Sequence, residues 1–217
     1  MPAKIVVSEF VSLDGVMEGP GPVDSFEFAG WTIPFFNDEI SSYKAKELFA
    51  AGSLLIGRNT YNLFASTWPK MTDKIMGTDE KNLPGGFAGR MNGIQKYVVS
   101  TSLKQNDLSW DHSKLIGPNV VEELSKLKAD SSQDLLLVGS ATLVKTLIQN
   151  DLVDELKLLV YPVILGSGKQ LLANIKYSKF NLIQSQAFSN GVLLQHYQLQ
   201  KTLNSLKMIF SAASFPS

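Results

Sequence analysis

The chain contains no cysteine among its 217 residues, which excludes disulfides, thiolate metal sites and a cysteine nucleophile. Histidine occurs only twice, at His112 and His196, too few for a histidine-rich metal centre, so no metal site is expected. Net charge is absent as well: 20 Lys and Arg balance 20 Asp and Glu. No global field holds nucleic acid or an anionic membrane, and any anion site must be local. No apolar run approaches the ~18 residues of a membrane span. The opening MPAKIVVSEF lacks the pattern of a signal peptide. A cytoplasmic location and neither a nucleic-acid nor a membrane partner are therefore expected.

What is present is a globular composition, 44% hydrophobic and 18% charged. Lys4 to Val11, Ser53 to Ile56, Lys96 to Val99, Leu135 to Val138 and Glu155 to Val163 read as strands, rich in β-branched or continuous apolar residues. Between them, Asn37 to Ala51, Asn59 to Ser66, Val120 to Lys128 and Ala141 to Gln149 read as helices. Asn37 is the expected cap of the first, with Asp38 and Glu39 in its first turn. Trp68 to Gly93 reads as a long excursion with one short helix near Phe87 to Met91. Two runs, Phe180 to Phe188 and Val192 to Gln200, flank Asn190-Gly191, a strong hairpin signal. The alternation predicts one α/β domain over residues 1–200, with a mixed, mainly parallel sheet, helices on both faces and a C-terminal antiparallel hairpin. Residues 201–217 read as a tail.

The stretch Gly166-Ser167-Gly168-Lys169 invites comparison with a phosphate loop. The spacing rejects it: Val163 stands where the first glycine belongs, and Gln170 where a hydroxyl should meet magnesium. The glycines instead suggest a tight exit from a central strand, close to a bound ligand. Three other strand ends are better suited to an anion. Gly57-Arg58-Asn59-Thr60 and Gly139-Ser140-Ala141-Thr142 each join a strand to a helix, and Ser100-Thr101-Ser102 follows a third strand. Ligands of open α/β sheets bind beyond the carboxyl ends of strands. Helix N-termini favour anions there, and Arg58 supplies a cation able to grip a phosphate with two hydrogen bonds. Taken singly these are ordinary turn and cap residues; together they suggest a phosphorylated ligand spread over several strands. Asp14, in a short Asp-Gly turn, reads equally as a turn residue or a functional carboxylate. Lys157 is expected to face solvent, and His196 to be structural.

The segments VSLDGVMEGPG, GWTIPFFNDEI, LLIGRNTYNLF, KYVVSTSL, LLLVGSATLVKTLIQNDLVDELKLLVYPVILGSGKQLL and GVLLQHYQ occur in this order. Together they resemble the dihydrofolate reductase-like family, specifically small bacterial proteins similar to the RibD C-terminal reductase domain. The resemblance spans residues 4–198. It implies a dihydrofolate reductase-like α/β fold, NADP(H) as cofactor and a homodimer. It places Gly57, Arg58 and Thr60, with Ser100 and Thr101, on the adenosine side. It places Gly139, Ser140, Ala141, Thr142 and Leu143 at the pyrophosphate, and Ser12, Leu13, Asp14 and Gly15 near the nicotinamide. Asp14 and the segment from Trp31 through Pro34 and Phe35 to Glu39 are expected on the substrate side, as are Gly166 and Gly168. Asp14, Asp38 and Glu39 are the catalytic candidates, although a helix N-terminus favours ionised carboxylates, which suits a general acid poorly.

The implied activity is an NADPH-dependent reductase of a small heterocyclic or ribosylamino-pyrimidine-like substrate. The alternatives are the 5-amino-6-(5-phosphoribosylamino)uracil reductase of riboflavin biosynthesis, dihydrofolate reductase activity, or a non-catalytic nucleotide- or ligand-binding protein. No deaminase domain of the bacterial RibD kind is expected in these residues.

Overall fold

The computed structural model describes residues 2–72 and 86–200. The tail of residues 201–217 and the middle of the excursion lie outside the described residues. Thirteen regular elements are described: β1 (Ile5–Ser12), α1 (Asp38–Ala50), β2 (Ser53–Gly57), α2 (Arg58–Thr67), α3 (Gly86–Gly93), β3 (Gln95–Val99), β4 (Ser113–Ile116), α4 (Val120–Asp130), β5 (Leu135–Leu137), α5 (Ala141–Gln149), β6 (Glu155–Tyr161), β7 (Phe180–Ala187) and β8 (Leu193–Leu199). They build one eight-stranded sheet in the order β4-β3-β2-β5-β1-β6-β8-β7. The first six in that order run parallel, and β8 and β7 antiparallel. This is the mixed, mainly parallel sheet with a C-terminal hairpin that the sequence predicts.

Alternation along the strands divides the core. Ile5, Val7, Leu55, Leu135 and Leu137 pack under α4 and α5, against Leu124, Leu143, Val144 and Leu147. Leu54, Ile56, Val98 and Leu136 point the other way, against Leu48, Tyr61 and Met91 of α1, α2 and α3. A parallel sheet covered on both faces accounts for the unbroken apolar runs of β2 and β5. A third cluster, around Tyr161, Trp31, Ile40 and Phe188, joins α1 to the C-terminal hairpin.

Asn37 caps α1, its side chain accepting from Ile40 N at 3.0 Å. β4 is absent from the sequence reading. Its four residues are too few to show a period, and it pairs only at the sheet edge, with β3. Lys157, expected in solvent, instead reaches the buried carboxylate of Glu47 at 3.5 Å, because β6 lies inside the sheet beneath α1. His196 bonds Glu155 at 2.8 Å, an internal strand-to-strand contact. Among the described residues no helix is long and apolar enough to cross a membrane.

One feature of the ladder positions the site. β1 pairs with β5 only over Ile5–Val7, yet pairs with β6 as far as Ser12. Beyond Val7 the two central strands part, and a cleft opens between them at the carboxyl ends of the parallel strands.

Candidate functional site

A cavity of about 790 Å³ occupies this cleft, within the size range of small-molecule sites. One wall is the β5–α5 connection, with Val138, Gly139, Ser140, Ala141 and Thr142. The floor is Ser8, Glu9 and Phe10 of β1. Ser41, Lys44 and Leu48 of α1 and the loop from Met17 to Gly21 close two sides. Leu63, Phe64, Trp68, Phe87 and Met91 form an apolar wall.

The anion-friendly end is built by β2 and β5. Gly57 N–H donates to Gly139 O at 3.0 Å, which brings the starts of α2 and α5 side by side. Neither helix has a side-chain cap on its Gly57 or Ser140 terminus, so first-turn N–H groups remain available to an anion. Gly139 has φ +67, and a Cβ there would stand 2.4 Å from Thr60 Oγ1; only glycine lets this backbone come so close. Arg58 extends away from the cavity and donates from Nη1 to Ser102 Oγ at 2.6 Å. Ser100 Oγ accepts from the N–H groups of Ser102 and Leu103 at 3.2 and 3.1 Å. Arg58, Ser100 and exposed Thr101 thus share one rim, at the ends of β2 and β3. Ser102 joins them, unforeseen as a contact. Leu143, expected at the same end, buries its side chain in the core and does not line the cavity, because it is on the sheet-facing stripe of α5.

The sequence-designated carboxylates lie elsewhere. Asp14 accepts from Ser12 Oγ at 2.6 Å and from Gly166 and Leu165 N–H at 2.8 and 3.2 Å. The Ser12 hydroxyl foremost, then the Gly166 N–H, hold its carboxyl at about 2, so it is an ionised clasp at neutral pH. Leu13 is exposed, and Gly15 closes the turn by donating to Ser12 O at 3.0 Å. Ser12, Leu13, Asp14 and Gly15 all stand outside the lining of the large cavity.

The same is true of Gly166 and Gly168, which explains their presence differently from ligand contact. A Cβ on Gly168, at φ +109, would meet Val16 at 2.8 Å and Phe26 at 2.9 Å. Met17 N–H donates to Lys169 O, and Leu171 N–H to Gly15 O. The glycine loop is zipped to the segment after β1, and holds in place the Met17–Gly21 wall.

Glu39 accepts from Ser189 N–H at 2.8 Å and from the Ser189 hydroxyl, tying α1 to the β7–β8 turn. That hydroxyl, then the N–H, holds its carboxyl below the usual range. Asp38 is exposed beside it, and neither lines the cavity. Trp31 is buried edge-on against Tyr161 and donates from Nε1 to Glu18 O at 2.8 Å. Phe35 packs edge-on against Tyr161, and Pro34 is exposed. Phe36, rather than these three, reaches the cavity.

Three carboxylates line it, Glu9, Glu18 and Asp24; Glu18 is paired with Lys169, and Glu9 is the buried one. Its Oε1 accepts from Gly139 N–H at 2.5 Å across the split between β1 and β5. Among the described residues that is its one hydrogen bond with protein. Burial pushes the carboxyl up to about 8, against the opposing pull of the Gly139 N–H and Lys44; at neutral pH it is mostly a neutral acid. Beside it, Glu47 of α1 stays ionised. Burial raises it, but Lys44 and Lys157 outweigh burial and hold it below its usual value. Lys44 also donates to Ser8 Oγ at 2.8 Å and sits 5.4 Å from the Phe10 ring centre. The signal for Glu9 was in the sequence: it is the one charged residue of the strand IVVSEFVS.

A mainly parallel sheet split between its central strands and closed by an antiparallel pair makes this an α/β domain of the dihydrofolate reductase-like fold. The chain belongs to the RibD C-terminal domain family, whose model matches residues 3–194. It is 31% identical over 192 residues to YyaP of Bacillus subtilis (strain 168), a protein of unassigned function, covering 88% of this chain and 92% of that one. In structure it is similar to a candidate riboflavin biosynthesis protein from Shewanella sp. PV-4 (TM-score 0.67, 19% identity, 93% and 100% coverage). It is also similar to a dihydrofolate reductase from Enterococcus faecalis complexed with NADP(H) (TM-score 0.53, 13% identity, 91% and 97% coverage). At these identities the structural likeness is one of fold. Family membership makes a reductase-like role the coarse assignment.

Proposed function

We propose that the protein is an NADPH-dependent reductase of a small heterocyclic substrate. The observation that carries this reading is the junction of Gly57, Thr60 and Gly139, where two uncapped helix starts converge on the cavity with no room for a Cβ. The residues fit a dinucleotide diphosphate. N–H groups of Ser140, Ala141 and Thr142 would hold it, with Arg58 and Ser102 beyond the strand ends to receive a ribose phosphate. When bound, NADPH supplies a hydride. The chain's own part is to orient both ligands across the split between β1 and β5, exclude water with the Met17–Gly21 wall, and keep a proton on Glu9.

The test is binding of the two nicotinamide cofactors to the Arg58→Ala variant. Loss of one charge-assisted phosphate contact costs roughly 1.5–3 kcal/mol, so NADPH should weaken by about 10-fold or more while NADH is unchanged. Equal loss for both cofactors would remove Arg58 from this role; failure of the unaltered protein to bind NADPH would remove the reading itself.

The riboflavin-pathway activity is the second reading, supported by the family. Rescue of a strain lacking its phosphoribosylaminouracil reductase supports it, and failure of soluble, NADPH-binding protein to rescue opposes it. A homodimer is proposed as well. Its support is β7, an edge strand exposed over seven of its eight residues, with Leu182 and Ile183 at 57% and 50% exposure. A second copy is a natural cover for such an edge.

A further inference from the structure

Two chemically distinct groups line the cavity besides the first-turn N–H groups of the helices. At the split between β1 and β5, Glu9 is fixed by Gly139 N–H on one oxygen and has a second oxygen without a partner among the described residues. Leu63, Phe64, Trp68, Phe87 and Met91 make an aromatic and thioether wall. Its rings lock one another, Phe64 to Trp68 at 6.2 Å and Trp68 to Phe87 at 5.6 Å. Both lysines of the described lining are already committed. Lys44 pairs with Glu47 and bonds Ser8, and Lys169 pairs with Glu18. Neither lysine is free to pair with a phosphate in the substrate half, and the ring wall cannot replace a phosphate's water. A flat uncharged molecule meets no such cost.

We propose that the substrate is neutral and carries an apolar or aromatic arm against the Phe64–Trp68–Phe87 wall, and that Glu9 donates a proton to the heteroatom of its C=N or C=O bond. This rests on the reductase reading above and narrows it. The double bond takes a hydride from the reduced nicotinamide at its carbon and the Glu9 proton at its nitrogen or oxygen. The π bond is lost, the cofactor is oxidised, and the Glu9 carboxylate recovers a proton from solvent. The groups around Glu9 suit this role. Gly139 N–H from the β5–α5 connection fixes one oxygen. From α1, Glu47 opposes ionisation and Lys44 favours it, while Lys157 on β6 bears on Glu9 only through Glu47. The burial that raises the Glu9 carboxyl keeps it protonated at neutral pH.

Two measurements on the full chain loaded with NADP⁺ test this, neither needing turnover. The first is carbon NMR of protein labelled at the glutamate carboxyl, with Glu9 assigned by the signal missing from Glu9→Gln. One carboxyl titrating above neutrality, near 8, is expected; titration of Glu9 below neutrality overturns the proposal.

The second is calorimetry with two probes, 2-phenylquinazolin-4-one and the same bicycle carrying a phosphate-ended arm instead of phenyl. The phenyl probe should bind at least about 10-fold more tightly. Its affinity for the unaltered protein should drop about 10-fold or more as pH rises through the Glu9 titration, and stay flat in Glu9→Gln, whose amide keeps a donor. Equal or tighter binding of the phosphate probe, no binding of either probe by protein that binds NADPH, or a pH dependence surviving in Glu9→Gln each overturns it. Loss of NADPH binding itself would instead strike the reductase reading beneath.

Discussion

Glu9 is costly where it stands. A carboxyl moved from water into the cleft between β1 and β5 loses its solvation, and one backbone N–H returns only part of it. Its folded-state value of about 8 lies above the ordinary 4.5, so the native protein binds more protons than the unfolded chain between those values. Stability from this residue is fully present below the unfolded value and is lost as pH rises through the folded one. Glu9→Gln keeps an oxygen for Gly139 N–H and removes the titration. Urea melts should show the variant gaining on the unaltered protein from about pH 5 to about pH 8, by on the order of a few kcal/mol. A constant difference across that range would mean that Glu9 is ionised throughout. Asp14 is the opposite case: its lowered value stabilises above the unfolded value and is lost only as pH falls toward 2. Of two acids on or next to β1, the one a turn motif singled out is a clasp, and the one inside the strand faces the cavity.

At the scale of elements, the site depends on where two helices begin. α2 and α5 start at adjacent strand ends because Gly57 and Gly139 are hydrogen-bonded to each other. Gly139→Ala forces a side chain into a left-handed φ and onto Thr60 Oγ1. It should cost roughly 1–3 kcal/mol and weaken NADPH by splaying the two helix starts. Thermal melting and cofactor titration check both halves; normal melting with normal binding would show that this close approach is dispensable. The boundaries of these elements were largely legible, since Ala141–Gln149 follows from its apolar stripe and Asn37 from its capping role. β4 was not, because a four-residue edge strand has neither length nor period to announce it.

At the scale of the whole molecule, the exposed β7 edge is where a second copy would pair. Light scattering should give twice the chain mass, and the double variant Leu182→Glu, Ile183→Glu should shift it to one chain mass, with the fold retained by circular dichroism. A single-chain mass for the unaltered protein rejects the homodimer. The same global view explains the wall of the cavity. The Met17–Gly21 segment has no regular structure of its own, yet it is held on two sides. The glycine loop after β6 zips to its start, and Trp31 and Thr32 bond to Glu18 O and Pro20 O.

Sequence alone determined the sheet type, the alternation of strands and helices and the closing hairpin, because each is written in local periodicity, caps and turn residues. Only the tertiary structure decided which acid is buried at the cavity. Asp14, Asp38 and Glu39 lie at turns and helix starts, where nearby hydroxyls and N–H groups are within reach. Glu9 acquires its character from a strand separation set by β5, a backbone N–H 130 residues away and the charges of α1. Burial and long-range pairing are properties of the assembled sheet, and no short stretch of chain contains them.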